Sequence, residues 1–292
     1  MDSGVCQKNK RHERFYLVNK FTIKDLPNEC QDNSVFDYIK IISELTGRVD
    51  IHFTSTDRPD VDPITNAKYP CWDTKNTRNM RTGTGTVVSV LEVRDEECPC
   101  PECEESPSRV FYLVYVLTAK HVVFDDTEAR QSYFRIGYNT EKSPLHRLYG
   151  LRVVESDMND GRSLVEYVTH ESKFGIHLSD NLTNLNLTEK KIPERFHSTD
   201  DYKLAVIVSH PHGEPKHVTI GEWVYRELIS TPTGVKARYF YTTDTCQGSS
   251  GAAVIVLGDM LPRVAGRPIE HHIYHTTDND GLRGRCFRIL SK

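Results

Sequence analysis

Val110-Phe-Tyr-Leu-Val-Tyr-Val-Leu-Thr-Ala-Lys-His-Val-Val123 decides how the chain is read. Its first eight residues are apolar or aromatic, many of them β-branched, and fit a strand buried on both faces. The run then breaks to small residues, Thr118 and Ala119, and delivers a histidine. Other short segments carry strand character: Val49 to Phe53, Thr82–Leu91, Ser163–Val168, Leu204–Val208, Val218–Tyr225, Arg238–Thr242 and Ala252–Val256. Gly- and Pro-rich turns separate them. Only Asn33–Gly47 has clear helical spacing, with Val35, Ile39, Ile42 and Leu45 on one face. Asn33 or Ser34 is the expected cap and Gly47 the expected stop. Glu171–Arg195 is polar and fits either a helix or a long loop. Many strands and one clear helix predict an all-β barrel or sandwich.

The 292 residues suffice for one large domain or two small ones. Apolar residues make up 37% and charged residues 27%, with a net charge of -4, so no basic field argues for nucleic acid. No apolar run approaches the roughly 20 residues of a membrane span. The first thirty residues have the basic arm Lys8, Lys10, Arg11 and Arg14 but no secretory pattern. An intracellular protein with reduced thiols is expected, although Asn-Leu-Thr sequons at Asn181 and Asn186 point the other way.

Tyr241-Thr-Thr-Asp-Thr-Cys-Gln-Gly-Ser-Ser-Gly-Ala-Ala-Val-Ile-Val256 places Ser250 on a glycine-bounded turn before a strand. A hydroxyl is a weak nucleophile that needs a base and an oxyanion site. Gly248 has the conformational freedom to aim its own N–H and that of Ser250 at one point. A plain surface turn has the same composition.

Leu117-Thr-Ala-Lys-His-Val-Val123 together with Asp244-Thr-Cys-Gln-Gly-Ser-Ser-Gly251 resembles the trypsin-like (chymotrypsin-fold) serine peptidases. Gly83-Thr-Gly-Thr-Val-Val88 and Val206-Ile-Val-Ser-His-Pro-His-Gly213 with Val218-Thr-Ile-Gly221 are similar to the Deg-type, or high-temperature-requirement, members. The motifs occur in the family's order over roughly residues 48–260. The resemblance implies an all-β fold of two six-stranded antiparallel β-barrels, with an N-terminal helix-containing extension at 1–47. A peptidase domain would span 48–292, with a Cys-rich hairpin insertion at 95–108 and no PDZ-like domain after it.

By the same resemblance Ser250 is the nucleophile, His121 the general base and then acid, and the N–H groups of Gly248 and Ser250 the oxyanion hole. The acid belongs on the strand after His121, where Asp160-Gly-Arg-Ser-Leu164 offers Asp160 one residue early. A bulge at Gly161 would restore its register. Asp157 and Asp201 are the alternatives. Asp244 lies where the family's substrate-binding S1 pocket has its floor, which implies Arg or Lys at P1. Ser249 stands where zymogen-activated relatives carry Asp, so no zymogen step is expected. Ala252 replaces the family's usual glycine.

The expected function is a serine endopeptidase acting on protein or peptide substrates, with no nucleic-acid or membrane partner and no cofactor required for catalysis. The alternative is a catalytically inactive module used in protein binding or scaffolding. Gly-x-Ser-x-Gly hydrolases are a poor match because Ala252 occupies the last position.

Cys98-Pro-Cys-Pro-Glu-Cys103 falls at an expected hairpin tip. Three thiols this close suit structural Zn²⁺, but a closed site needs four ligands, and Cys71 or a histidine is the expected fourth. A reduced loop or a local disulfide also fits. Cys246 matches a position disulfide-bonded in secreted relatives, with Cys286 its downstream partner; free thiols are expected. His210, His212 and His217, and His271, His272 and His275, are expected to be pocket-wall or surface residues.

Overall fold

The computed structural model describes residues 12, 14–198, 202–231, 234–258, 270–274 and 284–289. Strand β1 (Phe15–Leu17) precedes helix α1 (Asn33–Leu45), which runs directly into β2 (Thr46–Ile51). Then follow β3 (Arg81–Arg94), β4 (Val110–Ala119), the short α2 (Asp126–Arg130), β5 (Ser132–Ile136), β6 (His146–Asp157) and β7 (Arg162–Thr169). Helix α3 (Ser172–Glu189) leads on to β8 (Leu204–Ser209), β9 (His217–Thr231), β10 (Gly234–Tyr241), β11 (Ala253–Val256), β12 (Glu270–Tyr274) and β13 (Gly284–Ile289). Among the described residues no helix is long and apolar enough to cross a membrane.

The fold is mostly β, in two sheets. Strands β2-β3-β4-β7-β6-β5 pair in a closed ring. Val49, Val87, Val116, Phe134, Leu148 and Val165 are fully buried in its core. The second sheet has seven strands in the order β1-β9-β10-β13-β12-β11-β8, and β8 also pairs with β9. All these pairings are antiparallel.

Strands β8 and β11 explain why their sequences are continuous apolar runs rather than alternating ones. Val206, Val208, Ala253 and Ile255 belong to the large core shared with α1, whereas Ala205, Ile207, Val254 and Val256 pack with Trp223, Tyr239 and Tyr241. Successive side chains point to opposite faces, and here both faces are buried.

Helix α1 starts one residue earlier than the sequence suggests. The Asp32 carboxylate, not Asn33 or Ser34, caps it, accepting from the Ser34 N–H at 2.9 Å. Gly47 does not stop the helix but sits inside β2. A Cβ there would lie 2.7 Å from the Arg135 carbonyl oxygen and the Phe134 ring, so glycine allows β5 to pack closely. The polar stretch after Glu171 forms α3, which packs on α1 and buries Phe174, Leu178 and Leu185. Gly175 of α3 lies against the Tyr112 ring, where a Cβ would come within 2.3 Å. The N-terminal segment is not detached: β1 extends the second sheet by pairing with β9.

Candidate active site

The end of β4 and the turn after it carry His121. The Ala119 carbonyl accepts from the N–H groups of Val122 (2.9 Å) and Val123 (3.3 Å), tightening the turn. A buried ion cluster braces it. Glu128 takes a two-pronged pair from Arg58 (2.6 and 2.7 Å), a third bond from Arg81 (2.9 Å), and the N–H groups of Ser55 and Phe124. Arg58 also donates to the His121 carbonyl at 3.0 Å. Burial pushes the half-buried His121 imidazole down to about 4, with the positive charges of Arg58 and Arg81 adding to the effect and Asp62 opposing it. The ring is therefore neutral at neutral pH, the state a general base requires.

The β6–β7 turn lies alongside. Lys120 donates its N–H to the Gly161 carbonyl at 2.8 Å, and the Ser163 hydroxyl donates to Val123. Gly161 adopts φ +63°, a left-handed turn residue between Asp160 and the start of β7, with no register shift there. Asp160 is buried, with Arg162 at 3.7 Å. The Asp157 carboxylate accepts the N–H groups of Asn159 and Asp160 and so stabilises the turn itself. Asp201 lies outside the described residues. Asp62, the carboxylate acting on His121, was missed by sequence reasoning. It sits in the long 52–80 loop, buried, with its carboxylate accepting from Ile64 and Thr65.

The Ser250 turn docks on the His121 strand. Gly248 (φ +93°) and Gly251 (φ +86°) both need the left-handed region. A Cβ on Gly251 would meet the Thr84 carbonyl at 2.2 Å, the Thr118 hydroxyl at 2.3 Å and the Ala119 nitrogen at 2.8 Å. Ser250 thus stands one residue from atoms that lie two residues before His121. Thr84 of β3 fastens the junction: its N–H donates to the Ser250 carbonyl (2.9 Å) and its hydroxyl to the Gly248 carbonyl (2.7 Å). Thr118 in turn donates its hydroxyl to the Thr84 carbonyl at 2.7 Å. The 210–213 turn closes the other side, where the His212 N–H donates to Gln247 and a Gly248 Cβ would lie 2.5 Å from the His210 carbonyl oxygen. The N–H groups of Gly248 and Ser250 have no acceptor among the described residues.

Ser249 is buried and its hydroxyl is used within the molecule, 3.1 Å from the Ser209 hydroxyl. Ala252 is fully buried. Asp244 is half-buried six residues before Ser250. His210 is buried, its Nδ1 2.9 Å from the Glu214 carbonyl, and burial drives its pKa well below the ordinary value. His217 is held by Pro215. The side chains of His271, His272 and Cys286 lie outside the described residues, as do His275–Asp280 and the basic residues Lys8, Lys10 and Arg11.

Two sulfur-containing clusters have metal-ligand character. Cys98, Cys100, Cys103 and His170 place their ligand atoms within 4.8 Å of one another. The histidine is thus the fourth group, and Cys71 is not part of the cluster. Cys246 is buried, its Sγ 3.3 Å from His12 Nε2, with His212 completing a group of three.

No family model and no curated protein matches the chain. Solved structures similar to it include HtrA-type proteases and a serine endoprotease. One is the HtrA-type protease AlgW with a tripeptide, at 12% identity and TM-score 0.43, covering 88% of this chain and 59% of that one. Another is the Rv3671c protease of M. tuberculosis in its active form, at 14% identity and TM-score 0.42, covering 89% and 82%. A third is the serine endoprotease of Yersinia pestis, at 14% identity and TM-score 0.39, covering 87% and 61%. The chain thus spans about three fifths of the AlgW chains.

Proposed function

We propose that this chain is a serine endopeptidase. Ser250 attacks the scissile carbonyl while His121 takes its proton. The tetrahedral oxyanion is received by the N–H groups of Gly248 and Ser250, each such donor typically contributing about 3–4 kcal/mol in the transition state. His121 then protonates the leaving amine, and a water repeats the sequence to release the acyl group. Asp160, on the turn bonded to Lys120, is the orienting acid, and Asp62 adds negative charge that favours the transient imidazolium. Neither step needs a cofactor.

The observation that carries this reading is the seating of Gly251 on Thr118 and Ala119, which joins the serine turn to the histidine strand. Asp244 supplies negative charge suited to Arg or Lys at P1. The free thiols among the described residues suit an intracellular setting. Hydrolysis of internally quenched peptides by the full chain tests the proposal. Cleavage after Arg or Lys, abolished in Ser250→Ala, supports it; equal cleavage by that variant refutes it.

One observation favours the second reading, an inactive binding module. Asp62, a carboxylate that opposes the lowering of the His121 pKa, lies in the 52–80 loop rather than on the β6–β7 turn. An inactive module would bind peptides without turning them over, in wild type and Ser250→Ala alike.

A further inference from the structure

The Cys-rich hairpin lies at the opposite end of the barrel from Ser250. Strand β4 begins beside it, at Val110, and ends at Ala119 next to His121. Ten residues of strand span roughly 30 Å, so the cluster is remote from the proposed chemistry.

The barrel topology assembles four ligand-type side chains there. Strands β3 and β4 pair out to Arg94 and Val110, which leaves the hairpin tip at one end of the ring. Pro101–Cys103 forms a single 3-10 turn in which the Cys103 N–H donates to the Cys100 carbonyl, and the Cys98 N–H donates to Ser108. These two bonds fold the tip so that all three cysteines are buried. Strand β7 pairs alongside β4, with Thr169 opposite Tyr112, and the next residue is His170. His170 Nδ1 lies 3.2 Å from Cys100 Sγ and 3.4 Å from Cys103 Sγ.

We propose that Cys98, Cys100, Cys103 and His170 form a closed Cys₃His structural zinc site. A tetrahedral Zn²⁺ with Zn–S of about 2.3 Å and Zn–N of about 2.0–2.1 Å has ligand-to-ligand edges of about 3.6–3.8 Å. The sulfur–nitrogen separations of 3.2 and 3.4 Å are shorter than those edges by a few tenths of an ångström, and every pair of ligand atoms lies within 4.8 Å. Three thiolates and an imidazole suit Zn²⁺ over the hard cations. A carboxylate also stands near the far side of the histidine. Glu102 reaches to 3.9 Å from His170 Nε2 while accepting a hydrogen bond from the Tyr149 hydroxyl. A carboxylate on that side of the ring leaves Nδ1 facing the sulfurs. Phe111, Val168, Leu113 and Leu151 surround the sulfurs with apolar groups. Bound metal ties the β3–β4 hairpin to the junction of β7 and α3.

The test uses the full chain, expressed with zinc in the medium and purified reduced and without chelator. Zinc per chain is measured by mass spectrometry of the metal, for wild type and for Cys100→Ser. Wild type is expected to hold about one zinc equivalent more than the variant. Because Cys100→Ser risks misfolding, His170→Cys provides the second arm. It keeps four ligands, so it retains the metal. When Co²⁺ replaces zinc, its thiolate-to-metal absorption strengthens relative to wild type. Wild type without zinc, or Cys100→Ser with the same zinc content as wild type, overturns the proposal. So does a Co²⁺ spectrum identical in wild type and His170→Cys.

Discussion

Thr84 holds Ser250 from the backbone: the Thr84 N–H reaches the Ser250 carbonyl at 2.9 Å while its hydroxyl reaches the Gly248 carbonyl at 2.7 Å. One residue of β3 therefore holds both residues of the proposed oxyanion hole. Thr84→Val keeps the N–H and the shape but removes the hydroxyl, which takes a partner from the Gly248 carbonyl and from the His210 N–H. It is expected to lower stability by about 1–3 kcal/mol. The looser Gly248 also lowers kcat about tenfold or more, with KM little changed. Thermal melting and steady-state kinetics check the two effects separately.

Glu128 pairs with two arginines, Arg58 in the interior and the partly buried Arg81. Glu128→Gln leaves both positive charges without this carboxylate beside the His121 turn. Removing one partner of a buried pair costs about 3–5 kcal/mol. Denaturant unfolding should register a loss of this size, whereas removal of the exposed partner in the Arg238–Glu227 pair should change little.

The strands β4, β8 and β11, the His121 turn and the Ser250 turn were legible in the sequence, because each is a contiguous apolar run or a contiguous motif. The braces behind them were not. Arg58 and Glu128 are 70 residues apart, and His170 lies 67 residues beyond Cys103. Such pairs have no local periodicity to announce them. Asp62 was hidden in the same way, inside a Pro- and Asp-rich loop whose composition suggests solvent. The cap of α1 was misplaced by one residue because Asp32, Asn33 and Ser34 are all good capping residues and only the fold selects among them.

The imidazole of His121 sets an acid limit on activity. Its pKa in the fold is about 4, against 6.5 in an unfolded chain. The base is neutral above that value and protonated below it, so kcat/KM should fall as pH drops through about 4 rather than through 6.5. Arg81→Gln removes one of the positive charges and should move this limb upward. The same group affects stability with a definite sign. Between pH 6.5 and about 4 the unfolded chain binds a proton that the fold does not, so stability is lost as pH is lowered through that window and is fully present above it. Melting temperatures of wild type and His121→Gln, compared at pH 7 and pH 4.5, isolate this contribution.

Two carboxylates are assigned different parts. Asp160→Asn is expected to reduce kcat by roughly 10⁴-fold, the size of effect seen when a triad histidine is wrongly oriented. Asp62→Asn should retain most of kcat and shift the acid limb to lower pH, since Asp62 favours the protonated ring. The reverse pattern would assign the orienting role to Asp62.

The central claim is that Ser250 is a nucleophile activated by His121. Fluorophosphonate labelling of the full chain between pH 6 and 9, with the modified residue located by peptide mass spectrometry, tests it directly. Stoichiometric labelling is expected on Ser250, absent in Ser250→Ala and strongly slowed in His121→Ala. Wild-type protein that is folded but unlabelled across that range, or labelled at a different residue, would contradict it.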